Sequence, residues 1–309
     1  MSDSGELWRR TSSEPVLGPL PGTWLADAAT TPDVLAYHGQ ILLYCGAVRG
    51  GHERLVAINI GYDGEMPTFG QVELGVDIGP GGAFDSDHVF DPASVAVADR
   101  VFLYYSTVGA APDSIGLATS VDGHRFEKHP HPVLVGRAPD VVVRHGKFHL
   151  LYVLEAPDAG YVIHLAVSDD GYRFQPAGPA PVLDVDAPGT WDSFSVLTGR
   201  VFEYGDMYYM VYAGDAREKD LPRAFGLARS ANLAHWERYR HNPVFRCGPP
   251  GAWDDGAIWF GTVLVRNGML DMWYEGGSQA AVHRPPPMLT RVGLATLEVA
   301  EFERRIAEW

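Results

Sequence analysis

Carboxylates gather at a few recurrent places in this chain of 309 residues, and those places limit the chemistry open to it. Asp27 and Asp33 flank the start of one apolar strand, and Asp85, Asp87, His88 and Asp91 the start of the next. Arg137 and Asp140 open a third, Asp192 a fourth, and Asp254 and Asp255 a fifth. Arg49, Glu155, Asp215 and Glu275 stand shortly after tyrosines that end other strands. Carboxyls that share a narrow, partly dry space have their pKa values pushed apart, leaving one protonated and one ionised. Hydrolysis of an acetal needs such a pair: a proton for the leaving oxygen, and a carboxylate for water or for the anomeric carbon. Asp91, Glu155, Asp33 and Asp27 are the catalytic candidates. Asp87, His88, Arg137, Asp140, Trp191, Asp192, Asp255, Trp259 and Glu275 are candidates for holding substrate, the tryptophans as apolar walls.

These candidates differ in how they relate to repetition. An Asp follows an aromatic residue three times (Asp85, Asp192, Asp254), and recurrence suits a turn or hydrogen-bonding device better than a catalyst. Asp122 and Asp170 lie in Asp-Gly turns. Asp91 before Pro92, the Asp87-His88 pair, Arg137, Glu155 and Glu275 break the pattern, which makes them the sharper functional candidates. No His, Cys and carboxylate spacing suggests a zinc site. Neither a metal nor a cofactor is expected.

The elements that would position these groups repeat as well. Gly22-Thr23-Trp24, Gly82-Ala83-Phe84, Gly189-Thr190-Trp191 and Gly251-Ala252-Trp253 are copies of one phrase, with aromatics 60, 107 and 62 residues apart. The middle interval is about two periods, so one copy has decayed, and such a period signals a radial or solenoid repeat. A second phrase runs Gly116-Leu117-Ala118-Thr119-Ser120 and Gly226-Leu227-Ala228-Arg229-Ser230, with partners at Leu165 and Leu294. A third is Pro132-Val133-Leu134, Pro181-Val182-Leu183 and Pro243-Val244-Phe245. Strands ending near Tyr44, Tyr105, Tyr152, Tyr212 and Tyr274 complete the unit.

The unit reads as four antiparallel strands repeated five times, which predicts an all-β, five-bladed β-propeller in one domain over 1–309. The expected blades are 24–80, 84–136, 137–187, 191–249 and 253–299, the last completed by 7–18. Glu14-Pro15-Val16-Leu17 copies the third phrase with no preceding strands of its own, so it is expected to close the ring and remove two sheet edges. A sandwich of similar hairpins is the alternative architecture.

Composition narrows the partners. Lys and Arg number 24 against 39 Asp and Glu, a net charge of −15. That argues against binding nucleic acid, an anionic membrane or a strongly acidic substrate. No apolar run reaches the ~18 residues of a membrane span. The opening Met1-Ser2-Asp3-Ser4-Gly5-Glu6 has no basic and apolar leader pattern, and two cysteines (Cys45, Cys247) make no disulfide framework. A cytoplasmic setting is the expectation. The polar insert Ala216–Asp220 and the Pro-rich insert Val282–Pro287 fall in strand connections, where recognition tends to sit.

Trp191-Asp192-Ser193, Met210-Val211-Tyr212-Ala213-Gly214, the Gly-Leu-Ala-x-Ser strands and Asn242-Pro243-Val244-Phe245 together resemble five-bladed propeller glycosidases of families 43, 32 and 130. The resemblance spans essentially the whole chain. It implies a carboxylate at the start of the inner strand in each of the first three blades: a base or nucleophile Asp, an Asp in an Asp-Pro pair, and an acid Glu. Phe90-Asp91-Pro92 matches the second. Thr31-Pro32-Asp33 has Thr in place of the first, and Arg137-Ala138-Pro139-Asp140 has no Glu. Asp27 or Asp33 would then replace the first, and Glu155 or Asp140 the acid. Three functions follow: a glycosidase on a small glycoside or oligosaccharide; a phosphorylase like family 130, with Arg137, Arg49, Arg217 or Arg223 holding phosphate; and a non-hydrolytic sugar-binding or tailoring protein.

Overall fold

The computed structural model describes residues 6–283 and 287–309. Residues 1–5, part of the opening read for a leader, and Arg284-Pro285-Pro286 of the Pro-rich insert lie outside the described residues.

Short runs rich in Val, Ile, Leu and aromatics, punctuated by Gly and Asp turns, form strands almost throughout. The first is β1 (Arg9–Arg10). Next come β2 (Ala28–Tyr37), β3 (Gln40–Arg49), β4 (His52–Asp63), β5 (Met66–Val76) and β6 (His88–Val97). With β7 (Arg100–Val108), β8 (Ser114–Ser120), β9 (Glu127–Lys128) and β10 (Leu134–Val135) these make a nine-stranded sheet. A four-stranded sheet follows: β11 (Arg137–Arg144), β12 (Lys147–Glu155), β13 (Tyr161–Ser168) and β14 (Gln175–Pro176). Then β15 (Ser195–Tyr204), β16 (Met207–Asp215), β17 (Ala224–Ser230), β18 (Glu237–Arg238) and β19 (Phe245–Arg246) form five strands. The last sheet joins β20 (Ala257–Arg266), β21 (Met269–Gly277) and β22 (Arg291–Glu298) to β1. Helix α1 (Gln279–Val282) lies between β21 and β22, and α2 (Val299–Ile306) follows β22.

This hydrogen bonding corrects the expected architecture. Five separate four-stranded blades in a closed ring were expected; the described residues form four sheets of 4, 9, 4 and 5 strands, and none closes on itself. One parallel pairing, Glu53 with His88, joins β4 to β6, so the first two units share one sheet. After the first unit, whose fourth strand is the full-length β5, the fourth strand is reduced to two-residue pieces such as β9, β10, β18 and β19. The N-terminal β1 pairs antiparallel with β22, Arg9 opposite Thr296 and Arg10 opposite Ala295.

The repeated phrases have packing explanations. Tyr105 faces Gly116, Tyr212 faces Gly226 and Tyr274 faces Gly293 across adjacent strands. A Cβ on any of these glycines would come within 2.4 Å of the tyrosine ring, so glycine lets the ring lie flat on the sheet. The recurring Asp is part of the same device. Asp192 accepts from the Tyr212 hydroxyl at 3.0 Å and from Arg238 at 3.0 Å. Asp254 accepts from Tyr274 at 2.9 Å and from Arg10 at 2.9 Å, while Asp85 pairs with Lys128. Each cation comes from a two-residue strand, so the buried pair fastens that short strand to its sheet.

A second shared feature creates the site. In β2, β6, β11, β15 and β20 the pairing register slips once, after Thr30, Phe90, Arg137, Leu197 and Trp259. The next residue in each has a left-handed backbone: Thr31 (φ 40°), Asp91 (53°), Ala138 (47°), Thr198 (49°) and Phe260 (55°). Such bulges re-aim side chains, and left-handed non-glycine residues cost about 1–3 kcal/mol each, so the surrounding packing must hold them.

Candidate active site

The five bulges line one cavity of about 340 Å³, to which each contributes its slipped residue and its left-handed neighbour. That volume lies near the lower end of small-molecule sites, about 300–1,000 Å³. Glu53, His88, Asp113, Tyr161, Asp220 and Glu275 complete its polar lining. Phe90, Tyr161, Trp259 and Phe260 give it aromatic walls.

Three buried carboxyls, Asp91, Glu53 and Glu275, converge around the Thr30-Thr31 bulge. Asp91 is held by the Ser106 hydroxyl, which donates to Oδ2 at 2.7 Å, and its own N–H donates to the Thr31 hydroxyl at 3.3 Å. Burial raises its pKa to about 6, against the pull of Arg137, the Ser106 hydrogen bond and Arg200. The Thr30 hydroxyl donates to Oε1 of Glu53. Burial, with the carboxyls of Glu275 and Asp91 nearby, pushes Glu53 to about 8 against the Thr30 hydrogen bond. Glu275 takes the Thr31 N–H on Oε2 at 3.1 Å and the Thr290 hydroxyl on Oε1; burial, with Asp91 nearby, lifts it to about 8 as well. Burial thus favours the protonated form in all three carboxyls, and more so in Glu53 and Glu275 than in Asp91.

Arg137 is the cavity's guanidinium. It donates to the Tyr161 hydroxyl at 3.0 Å, lies 3.6 Å from Asp113 and 3.9 Å from Asp220, and stacks 5.5 Å from the Phe90 ring centre. Burial raises the pKa of Asp220, while Arg137 and Lys219 oppose the rise. His88 accepts the Glu53 N–H on Nδ1 at 3.2 Å, which places its proton on Nε2. Burial and then His52 lower its pKa, so it is neutral.

The sequence candidates therefore separate. Asp91, His88, Arg137, Trp259 and Glu275 line the cavity. Asp33 and Asp140 lie behind it, each accepting a backbone N–H of a neighbouring inner strand at 2.8 Å, from Ser94 and Val201 respectively. Between them sits buried Arg200, 3.9 Å from Asp33 and 3.3 Å from Asp140, its guanidinium carbon 4.9 Å from the Phe260 ring centre. Glu155 is exposed and forms an ion pair with Lys219 at 2.6 Å. Asp27 accepts the Gly50 N–H, and Asp255 accepts the N–H groups of Gly251 and Gln279. Asp87 is exposed, and its carbonyl accepts from His52. Trp191 packs on Tyr212 and borders a different cavity, while Asp192 belongs to the tyrosine device.

Glu53, Asp113 and Tyr161 were not among the sequence candidates, and Asp220 was singled out only as part of the polar insert Ala216–Asp220. Glu53 carried a signal: it is in phase with buried Leu55 and Ala57 on β4, a charged residue on a core-facing position. Among the described residues, no group of three or more His, Cys, Asp or Glu is arranged to hold a metal ion, and no helix is long and apolar enough to cross a membrane.

No protein-family model matches this chain, and a search of curated proteins gives no match. Solved structures do match. A β-1,2-mannobiose phosphorylase from Listeria innocua aligns with a TM-score of 0.74 at 14% identity, over 98% of this chain and 99% of that one. A glycosyl hydrolase from Bacteroides ovatus gives 0.73 at 16%, over 94% and 93%. An N-acetylgalactosamine deacetylase from F. plautii gives 0.71 at 15%, over 97% of each chain. The chain thus shares the glycosidase-like propeller fold of these solved structures, although its described strands are divided among four sheets, none of which closes on itself.

Proposed function

We propose that the protein is a carbohydrate-active enzyme that hydrolyses a glycosidic bond in a small glycoside or oligosaccharide. The observation that carries this is the convergence of two buried carboxyls, Asp91 and Glu53, with pKa values raised to about 6 and about 8, on one aromatic-walled cavity. Glu53 presents Oε2 without a hydrogen bond from the described residues and gives its proton to the leaving oxygen as the C–O bond breaks. Asp91 takes a proton from the water that attacks the anomeric carbon. Each product gains a hydroxyl, and the two carboxyls exchange protonation states until solvent resets them. Glu275, protonated, holds the Thr31 bulge and keeps the local negative charge low. The Trp259 and Phe90 rings support the apolar faces of the sugar.

Water is favoured over phosphate as the attacking group. Arg137 is the one guanidinium lining the cavity among the described residues, and it already faces Asp113 and Asp220. Arg49 lies over Trp24, its guanidinium carbon 5.3 Å from the ring centre, and Arg217 and Arg223 border the other cavity.

The test is release of reducing sugar from a panel of aryl glycosides and disaccharides, with and without phosphate, by the protein and by Asp91→Asn and Glu53→Gln. Phosphate-independent release lost in both variants is the expected result. Phosphate-dependent release of a sugar 1-phosphate would replace hydrolysis by phosphorolysis. Sugar binding with no turnover of any panel member would reduce the protein to a binding module.

A further inference from the structure

A second cavity, of about 600 Å³, opens where the end of β16, the start of β17 and helix α1 meet, and it takes no part in the chemistry above. Trp191, Leu221 and Val282 form apolar parts of its wall. Arg217, Arg223 and Arg246 border it with His283, all four exposed, a basic rim on a chain whose net charge is −15. Two acidic residues also border it. Asp215 accepts the backbone N–H groups of Arg217 and Glu218 on Oδ1, at 2.8 and 2.9 Å, so its carboxylate and that of Glu218 are the two opposing charges lining the cavity.

Trp191 differs from its counterpart in the repeat. The Trp24 ring is covered by Arg49 and Arg54, with guanidinium carbons 5.3 and 5.6 Å from its centre. No such cation covers Trp191 among the described residues; it leans on Tyr212, and its ring passes so close to Gly214 that a Cβ there would come within 2.9 Å of it. Arg223 is anchored to the carbonyls of Gly256 and Asp255 at 3.0 and 3.2 Å. No side-chain hydrogen bond or ion pair engages the guanidinium of Arg217 or Arg246 among the described residues. The Glu6 carboxylate accepts the Arg246 backbone N–H at 3.1 Å and lies near its charge, so an anion would share Arg246 with Glu6 while the Arg217 fork is available to it.

We infer that this cavity is a second binding site, for a sugar ring that carries one anionic group. The apolar face of the ring rests on Trp191, and the anion lies between Arg217 and Arg246. A carboxylate and a phosphate present the same paired oxygens to a guanidinium, so the two sources are separated by experiment.

Glucuronate, glucose 1-phosphate and, as the neutral control, glucose are titrated calorimetrically into the full chain. The same titrations are run on an Arg217→Gln/Arg246→Gln variant and on Arg137→Gln, which alters only the central cavity. The expected result is binding of at least one anionic sugar about tenfold or more tighter than glucose, weakened by about tenfold in the double variant and unchanged in Arg137→Gln. The tighter of the two ligands identifies the anionic group. Three results would each overturn the assignment: no preference for either anionic sugar, no effect of the double variant, or loss in Arg137→Gln. Both replaced arginines are exposed, and circular dichroism checks that the variant is folded. No turnover is read, so the outcome stands apart from that of the glycosidase assays.

Discussion

The Ser106 hydroxyl donates to Oδ2 of Asp91 at 2.7 Å and, on its other side, accepts the Ala138 N–H at 2.8 Å. One side chain thus fixes the proposed base and the neighbouring bulge together. The bond to Asp91 favours its ionised form, so Ser106→Ala raises the Asp91 pKa above about 6. A hydrogen bond to a charged group is worth about 1.5–3 kcal/mol, which moves the acidic limb of the kcat/KM profile upward by about one to two pH units. An unmoved limb would separate Asp91 from that titration.

Asp91 near 6 and Glu53 near 8 bracket a bell-shaped profile with its maximum around pH 7. Asp91→Asn removes the acidic limb and Glu53→Gln the alkaline one, each with a loss of about 10²–10⁴ in kcat. Glu155→Gln, whose carboxylate faces Lys219 outside the cavity, keeps turnover within about twofold of the parent, the size expected of an exposed ion pair. Assays across pH 5–9 on all three variants decide the assignment; a profile that loses its alkaline limb in Glu155→Gln instead would transfer the acid role there.

The same burial makes stability depend on pH in a defined direction. Glu53 and Glu275 have ordinary values of 4.5 and folded values of about 8. Between those limits the folded state binds more protons than the unfolded state. Their stabilising contribution is therefore complete below about pH 4.5 and is lost as pH rises through about 8. Each group costs up to about 1.4 kcal/mol per pH unit in that window. Urea denaturation at pH 5.5, 6.5, 7.5 and 8.5 would show Glu53→Gln and Glu275→Gln gaining on the parent as pH rises. A constant difference across the series would mean that neither carboxyl is protonated in the fold.

What could be read beforehand follows from periodicity. Strand content and the tyrosine-ended strands were visible because each repeats. The recurrence of Asp85, Asp192 and Asp254 pointed to a structural device, yet Asp192 was also counted as a substrate candidate, and it is held by Tyr212 and Arg238 instead. Asp91 was visible for the opposite reason, as a carboxylate that breaks the pattern before Pro92. Glu53 was concealed by its position. It follows Gly50-Gly51-His52 in a hairpin, where charged residues are ordinary, and only its phase with Leu55 and Ala57 marks it as inward-facing. Asp113 and Asp220 reach the cavity from connections, whose course no periodicity governs. The joining of the first two units into one sheet rests on the single pairing of Glu53 with His88, a contact between distant residues that leaves no local trace.

Arg200 supplies the last prediction. It is fully enclosed, opposite Asp33 and Asp140, and donates to the Pro92 carbonyl at 2.7 Å, directly after Asp91. Arg200→Met would leave two buried carboxylates without their cation, a loss of about 3–5 kcal/mol in chemical denaturation. Adding Asp33→Asn and Asp140→Asn should recover part of that loss, because the uncompensated charges are then gone. The single variant should also move the acidic limb of the activity profile upward, since Arg200 helps to hold the Asp91 pKa down. Lost stability with an unshifted limb would confine Arg200 to holding the inner strands together. A shift in both would show that the ion cluster behind the cavity wall sets the charge state of the base in front of it.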